Sequence, residues 1–186
     1  MAEAVAQGAS PVWVDGGRGP DCHRLVTACE RAGLRATEGL SRLRLARGFT
    51  AHQLQALLEA HLPREVSPGT GLVVAANLPD LYAGEDVTPA EGRILLARAL
   101  SALQALARRH GASVVATASG SDWVALRPVL SGLFHDFPDG CVHLAVGEDG
   151  FAARFPRSGE VRVRERAGRR QRNLLLYGLE VRYGAH

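Results

Sequence analysis

Lysine is missing altogether: all 22 basic residues among the 186 are arginine. Arginine keeps its charge and forks onto phosphate or carboxylate in a bidentate way, so basic patches built from it suit nucleic acid. Cysteine is scarce, with only Cys22, Cys29 and Cys141. An odd count without CxxC spacing argues against a disulfide scaffold and against a zinc knuckle, and leaves reduced, partly buried thiols. Cys22 and Cys29 would share a face on one helix, which is a core pattern. No apolar run approaches the ~20 residues that a membrane-spanning helix needs. The N-terminus "MAEAVAQGAS" lacks the charged start and apolar core of a signal peptide, so a cytoplasmic protein without a membrane partner is expected. Internal repeats and low-complexity linkers are absent too, and the length predicts one domain over residues 1–186.

What is present is the composition of a soluble globular protein, 46% hydrophobic and 22% charged. The charge is unevenly placed. Residues 154–182 hold nine Arg against three Glu, which makes that segment +6 and leaves −3 for the rest of a +3 chain.

Strands and helices alternate along the first two thirds. "PVWVD" (residues 11–15) is a β-branched and aromatic run that stops at Asp15 and the turn "GGRGP". In "PDCHRLVTACERAGL", Leu25, Val26, Cys29 and Ala32 share a helical face and Gly33 sits where a C-terminal cap is common. "SRLRLARGF" alternates as a second strand, with Leu43 and Leu45 on one side and Arg42, Arg44 and Arg47 near the other. "TAHQLQALLEAHL" carries the helical stripe Leu54, Leu57, Leu58 and Leu62. "TGLVVAANLPDLY" supplies a third, buried strand over residues 72–76, followed by a loop, "PDLYAGEDV". Thr88-Pro89-Ala90-Glu91 marks a helix start and Gly111 its end, and "ASVVATAS" is a fourth buried strand. This order predicts a parallel sheet covered on both faces. Beyond it, "SDWVALRPVLSGLF" reads as partly helical and "CVHLAVGEDGFAARFP" as a hairpin around an Asp-Gly turn; "EVRVRER" with "NLLLYGLEVRY" predicts another.

With these elements placed, "RLRLARGFTAHQLQALLE" (residues 42–59) resembles the "ARAF…HQ" segment of the RecA/RadA-type strand-exchange recombinases. Three further stretches agree in order and spacing. "VWVDGGRGPDCHRL" resembles the family's strand ending in Asp, "LVVAANLPDLY" its Walker B strand, and "RHGASVVATAS" the helix end and strand that follow. The resemblance covers about residues 11–147. It implies an α/β, RecA-like fold: a mostly parallel central sheet with helices on both faces and a C-terminal antiparallel extension. The core would span residues 11–147 and a basic β-hairpin extension residues 148–186.

Departures from the family are as informative as the matches. The family's ATP loop ends in a lysine that reaches the phosphates, and this chain has none. The water-activating acid falls on Gly17, the Walker B carboxylate on Ala76, and the polar sensor near Ser119. Phosphoryl transfer rests on positioning and on neutralising developing charge. The expectation is therefore a degenerate ATPase with no catalytic residue, no cofactor and no metal.

The expected function is non-catalytic: binding DNA, a recombinase partner, or both, in recombination or repair. Two alternatives remain. One is a protein-interaction module comparable to division inhibitors with a RecA-like fold and no P-loop. The other is a subunit, in a homo-oligomer or with a partner, that completes an ATPase site in trans by lending Arg44 or Arg47. Arg162, Arg164, Arg166, Arg169, Arg170 and Arg172, in "RVRERAGRRQR", are the candidate nucleic-acid contacts; a solvated hairpin edge is the competing reading. Asp80, after Leu78-Pro79, reads as a loop or capping residue. Glu85 and Asp86 favour the positive end of the helix beginning at Thr88, and His52 and Gln53 cap and pack theirs. His135, Asp136, Asp139, Cys141 and His143 are metal-ligand types whose spacing fits no standard site.

Overall fold

The short run Val12–Asp15 (β1) is flanked on both sides, as its apolar character requires. A computed structural model pairs it in parallel with Arg44–Arg47 (β2) on one side and Leu72–Ala76 (β3) on the other; Ser113–Ala116 (β4) adds to β3. The described residues are 1–17, 19–118 and, as strand backbone, 143–147, 150–155 and 159–164. The chain divides into two compact units, Met1–Pro138 and Asp139–His186.

In the first unit the strand order is β2-β1-β3-β4. Cys22–Arg31 (α2) and Ala36–Ser41 (α3) connect β1 to β2, after a short N-terminal helix, Ala2–Ala6 (α1). Ala51–Ala56 (α4) runs on through a π-helical stretch, Leu57–His61, into Leu62–Glu65 (α5), and leads to β3. Leu78–Tyr82 (α6) and Pro89–His110 (α7) connect β3 to β4. The first crossover moves outward from β1 and the later ones move back across it. Right-handed connections then place α2 and α3 on one face of the sheet and α4, α5 and α7 on the other. The core agrees: alternate residues Val12, Val14, Val73 and Ala75 pack with Leu54, Leu58, Leu62, Leu96, Leu100 and Leu103.

The marked helix α7 begins and ends where its sequence says. The Thr88 hydroxyl accepts from the Glu91 N–H at 3.3 Å, Pro89 occupies the first turn, and Gly111 stops the helix in the left-handed region at φ 63°. Gly92 is needed for a different reason. A Cβ there would run into the Tyr82 carbonyl oxygen, so the glycine is what lets α6 and α7 meet.

One local feature differs from the sequence expectation, and two more go beyond it. The expected loop after β3 contains α6, because Pro79 lies in a first turn, where its missing N–H costs nothing. Helix α3 forms despite Gly39 in its interior, with that glycine buried against Cys29 of α2. Leu45 is 51% exposed because β2 is an edge strand.

Among the described residues of the second unit are three strands, His143–Gly147 (β5), Gly150–Phe155 (β6) and Gly159–Arg164 (β7), antiparallel in the order β5-β6-β7. The hairpin expected around Asp149-Gly150 is the β5–β6 pair, and β7 pairs with β6. The helical reading of residues 121–134 and the hairpin over 173–183 lie outside the described residues.

Candidate functional site

Strand order selects one place on the first unit. From β1 the chain crosses to β2 on one side, and from β3 it crosses to β4 on the other. In open α/β sheets ligands bind at such a reversal, outside the carboxyl ends of the strands. Register sets Asp15 level with Arg47 on β2 and with Ala76 on β3, so these three strands end flush. Both neighbours of Asp15 are thereby fixed: a guanidinium on one side and a methyl group where the resemblance places an acid.

Asp15 is fully buried at 0% exposure. Its Oδ2 accepts from the backbone N–H of Gly17 at 3.2 Å and of Gly19 at 2.7 Å, and lies 3.6 Å from Arg47 Nε. Its Oδ1 accepts from Asn77 Nδ2 at 3.4 Å. A buried carboxylate is tolerable only when paired and hydrogen-bonded in this way. The same bonds tie the glycine turn to the strand end. Arg47 adds a second tie by donating to the Gly17 carbonyl, and its guanidinium carbon lies 5.1 Å from the centre of the Phe49 ring.

Position 17 is shut by its neighbour. A Cβ on Gly17 would lie 2.8 Å from both Cβ and Nδ2 of Asn77. Asn77 holds that place through its own backbone, at φ 53° and ψ 39°, a left-handed conformation that Asn tolerates better than other residues with a Cβ. Its N–H donates to Thr117 Oγ1 at 3.0 Å, while the Leu78 N–H donates to the Thr117 carbonyl at 2.8 Å. The ends of β1, β2, β3 and β4 are thus joined by Asp15, Arg47, Asn77 and Thr117.

The other candidates are placed as follows. Asp80 sits in the first turn of α6, its N–H donating to the Asn77 carbonyl at 3.2 Å. Asp86 Oδ2 accepts from the Ala51 N–H at 3.2 Å, so it caps α4 as well as preceding α7. Gln53 Oε1 accepts from the Phe49 N–H at 3.0 Å while its own N–H donates to Thr50 Oγ1 at 3.2 Å, which bears out its capping role. His52 Nε2 lies 3.4 Å from Glu91 Oε1, joining α4 to α7. Arg44 donates from Nη1 to the Glu65 carbonyl at 2.7 Å and to Glu65 Oε2 at 2.9 Å. Both arginines considered for lending to a partner therefore have partners inside the chain.

Arg162 and Arg164 lie on β7. Arg166, Arg169, Arg170 and Arg172 lie outside the described residues, as do Ser119, His135, Asp136, Asp139 and Cys141. Among the described residues no group of three or more His, Cys, Asp or Glu could hold a metal ion, and no helix is long and apolar enough to cross a membrane.

The fold defines an α/β protein with an all-parallel four-stranded sheet. No family model matches the chain, and no curated protein matches it. Asn77 and Thr117 were not among the sequence candidates. The one signal for Asn77 is its type: a residue able to turn left-handed, directly after a buried strand.

Proposed function

We propose that this chain is a non-catalytic, RecA-like protein of DNA recombination or repair that works by binding DNA, a recombinase partner, or both. The observation that carries the non-catalytic part is the state of Asp15. It is the one carboxylate on the flush strand ends of β1, β2 and β3, and its oxygens are taken by Gly17, Gly19, Asn77 and Arg47. A carboxylate so bonded and fully buried is turned inward to the strand ends and the glycine turn. The neighbouring positions offer no replacement carboxylate: the Ala76 side chain is a methyl group, and a side chain at position 17 meets Asn77. The absence of lysine removes the usual cation for a triphosphate. The DNA part is supported by the resemblance over residues 11–147 and by the +6 charge of residues 154–182.

The isolated chain is expected to show no magnesium-dependent ATP hydrolysis above buffer, and a tagged chain to retain DNA at low ionic strength or to bring down a recombinase. Turnover by the purified chain sinks the non-catalytic reading. Failure of both binding assays sinks the rest.

A further inference from the structure

Just beyond the carboxyl end of β2 stands an aromatic ring that the core does not use. Phe49 is 70% exposed, the highest value among the large apolar residues described. Its backbone, by contrast, is fixed on both sides. The Gly48 N–H donates to the Asp15 carbonyl at 3.0 Å, and the Phe49 N–H donates to Gln53 Oε1 at 3.0 Å. Gly48 itself is buried so closely against α4 that a Cβ there would lie 2.9 Å from the Leu54 backbone. The ring is thus presented from a rigid base. The Arg47 guanidinium lies over it, 5.1 Å from its centre, and is itself held by Asp15 and the Gly17 carbonyl. One face of the ring therefore carries a fixed cation, and an exposure of 70% leaves the opposite face to solvent.

We infer that the open face of Phe49 is a stacking platform for an unpaired nucleobase of single-stranded DNA. The inference rests on the DNA-binding part of the function proposed above and deepens it by naming the strand form and a residue. Three observations carry it. First, an aromatic face with an arginine beside it is the combination that holds single strands without reading their sequence, because every base has a flat face to stack. Second, the ring stands outside the carboxyl ends of the strands, where open α/β sheets receive ligands, while the strand ends themselves are closed by Asp15. Third, its neighbours in the chain, Arg47, Thr50, His52 and Gln53, are polar or charged, and all but Thr50 are exposed. The ring is then an apolar surface with a polar surround, matched to one flat base and unlike the contiguous apolar patch that a protein partner covers. A base inside a duplex is stacked on both sides and has no face to give, so only an unpaired one fits. Asp15 already matches the charge of Arg47, so the site contributes stacking and not counterion release.

The test is fluorescence anisotropy of the full chain with a short labelled single strand, with its duplex, and with the same single strand made abasic, titrated between about 50 and 200 mM salt. Phe49→Ala is expected to weaken single-strand binding by roughly 5- to 150-fold, the worth of one stacked base. The slope of log affinity against log salt should stay as in wild type, since no phosphate contact is removed. Phe49→Trp keeps an aromatic face, so it should bind at least as tightly as wild type, and it guards against a folding defect in the alanine variant. Wild type should hold the abasic strand no better than Phe49→Ala does, and Phe49→Ala should scarcely distinguish the two strands. Single-strand binding by Phe49→Ala equal to that of wild type overturns this site and leaves the proposed function standing; if recombinase co-purification is lost in the same variant, the ring belongs to a protein interface instead. A loss that is equal on duplex, or that comes with a changed salt slope, overturns the stacking of an unpaired base. No DNA binding by wild type at the lowest salt overturns this site together with the DNA part of that function, while recombinase co-purification still decides the remainder.

Discussion

Replacing Asp15 by alanine separates a structural acid from a catalytic one. The substitution strips the acceptor from the N–H groups of Gly17 and Gly19 and from Asn77 Nδ2, and leaves Arg47 without its carboxylate. These losses are unequal. The Gly19 bond, at 2.7 Å, is the short charge-assisted one and is worth about 1.5–3 kcal/mol. The Gly17 and Asn77 bonds, at 3.2 and 3.4 Å, are longer and together add on the order of 1 kcal/mol. The Arg47 pair adds little, because the guanidinium side chain is 40% exposed and the separation is 3.6 Å. The sum is about 3 kcal/mol. For a unit of this size that lowers Tm by roughly 10 °C. Asp15→Asn keeps the shape and one acceptor and should cost about half as much. Differential scanning calorimetry and urea denaturation of both variants read these values directly. An acid kept for chemistry behaves in the opposite way, since its removal commonly leaves stability unchanged or raises it. A melting temperature for Asp15→Ala equal to or above that of wild type would refute the account of Asp15 as the residue that ties down the turn.

Three further variants probe the packing around that edge. Gly17→Ala should destabilise by about 1–3 kcal/mol through its contact with Asn77; adding Asn77→Gly, which opens the space and suits the left-handed backbone, should recover part of the loss, and additive losses in the double variant would contradict the contact. Gly92→Ala should cost more than the ~1 kcal/mol gain in helix propensity it brings, because the new methyl meets the Tyr82 carbonyl, so a net rise in Tm would show that α6 and α7 do not approach as described. Tyr82 is buried with its hydroxyl donating to Gln55 Oε1 at 2.9 Å, and burial first, with the negative charge of Glu59 second, pushes its phenol well above the ordinary value of 10.0 against the opposing pull of Arg98. The unfolded chain then loses that proton first, so stability present below pH 10 falls as pH rises above it, by up to about 1.4 kcal/mol per pH unit; Tyr82→Phe should remove that component of the alkaline slope, and an unchanged slope would contradict the burial argument.

How far the sequence could be read depended on whether the determinants were local. Thr88, Pro89, Glu91 and Gly111 act within a few residues of the helix ends they set, and α7 begins and ends at them. The apolar run Leu72–Ala76 is a central strand because nothing polar interrupts it. The Asp15 site was not legible in the same way, since its parts come from residues 15, 47, 77 and 117 and meet only through strand register. Asp15 was visible as a strand-ending acid, but its occupation by the turn and by Arg47 was not. The alternation of Leu43 and Leu45 with arginines was read correctly as a strand. Alternation alone does not distinguish an edge from a centre, which is why the exposure of Leu45 was not foreseen.

The retention of Asp15 beside Ala76 and Gly17 has a physical rationale once its bonds are counted. A glycine-rich turn at a strand end has backbone donors to satisfy and little side-chain material to hold it. One carboxylate at position 15 holds Gly17 and Gly19 directly and Asn77 through its amide, and these bonds account for an acid at this strand end without any ligand. At the other two positions the structure leaves no such place: position 17 has no room for a side chain, and position 76 carries a buried methyl. On the proposed reading this edge is a closed joint, and binding must be located where charge and space remain. The distribution of charge is consistent with that division. With −3 outside residues 154–182 and +6 within them, a polyanion is repelled by most of the chain and drawn to the segment that includes β7. On the proposed reading, moving arginines out of that segment while keeping the net charge at +3 should therefore weaken DNA binding, whereas a protein held to DNA by net charge alone would be indifferent to where they sit.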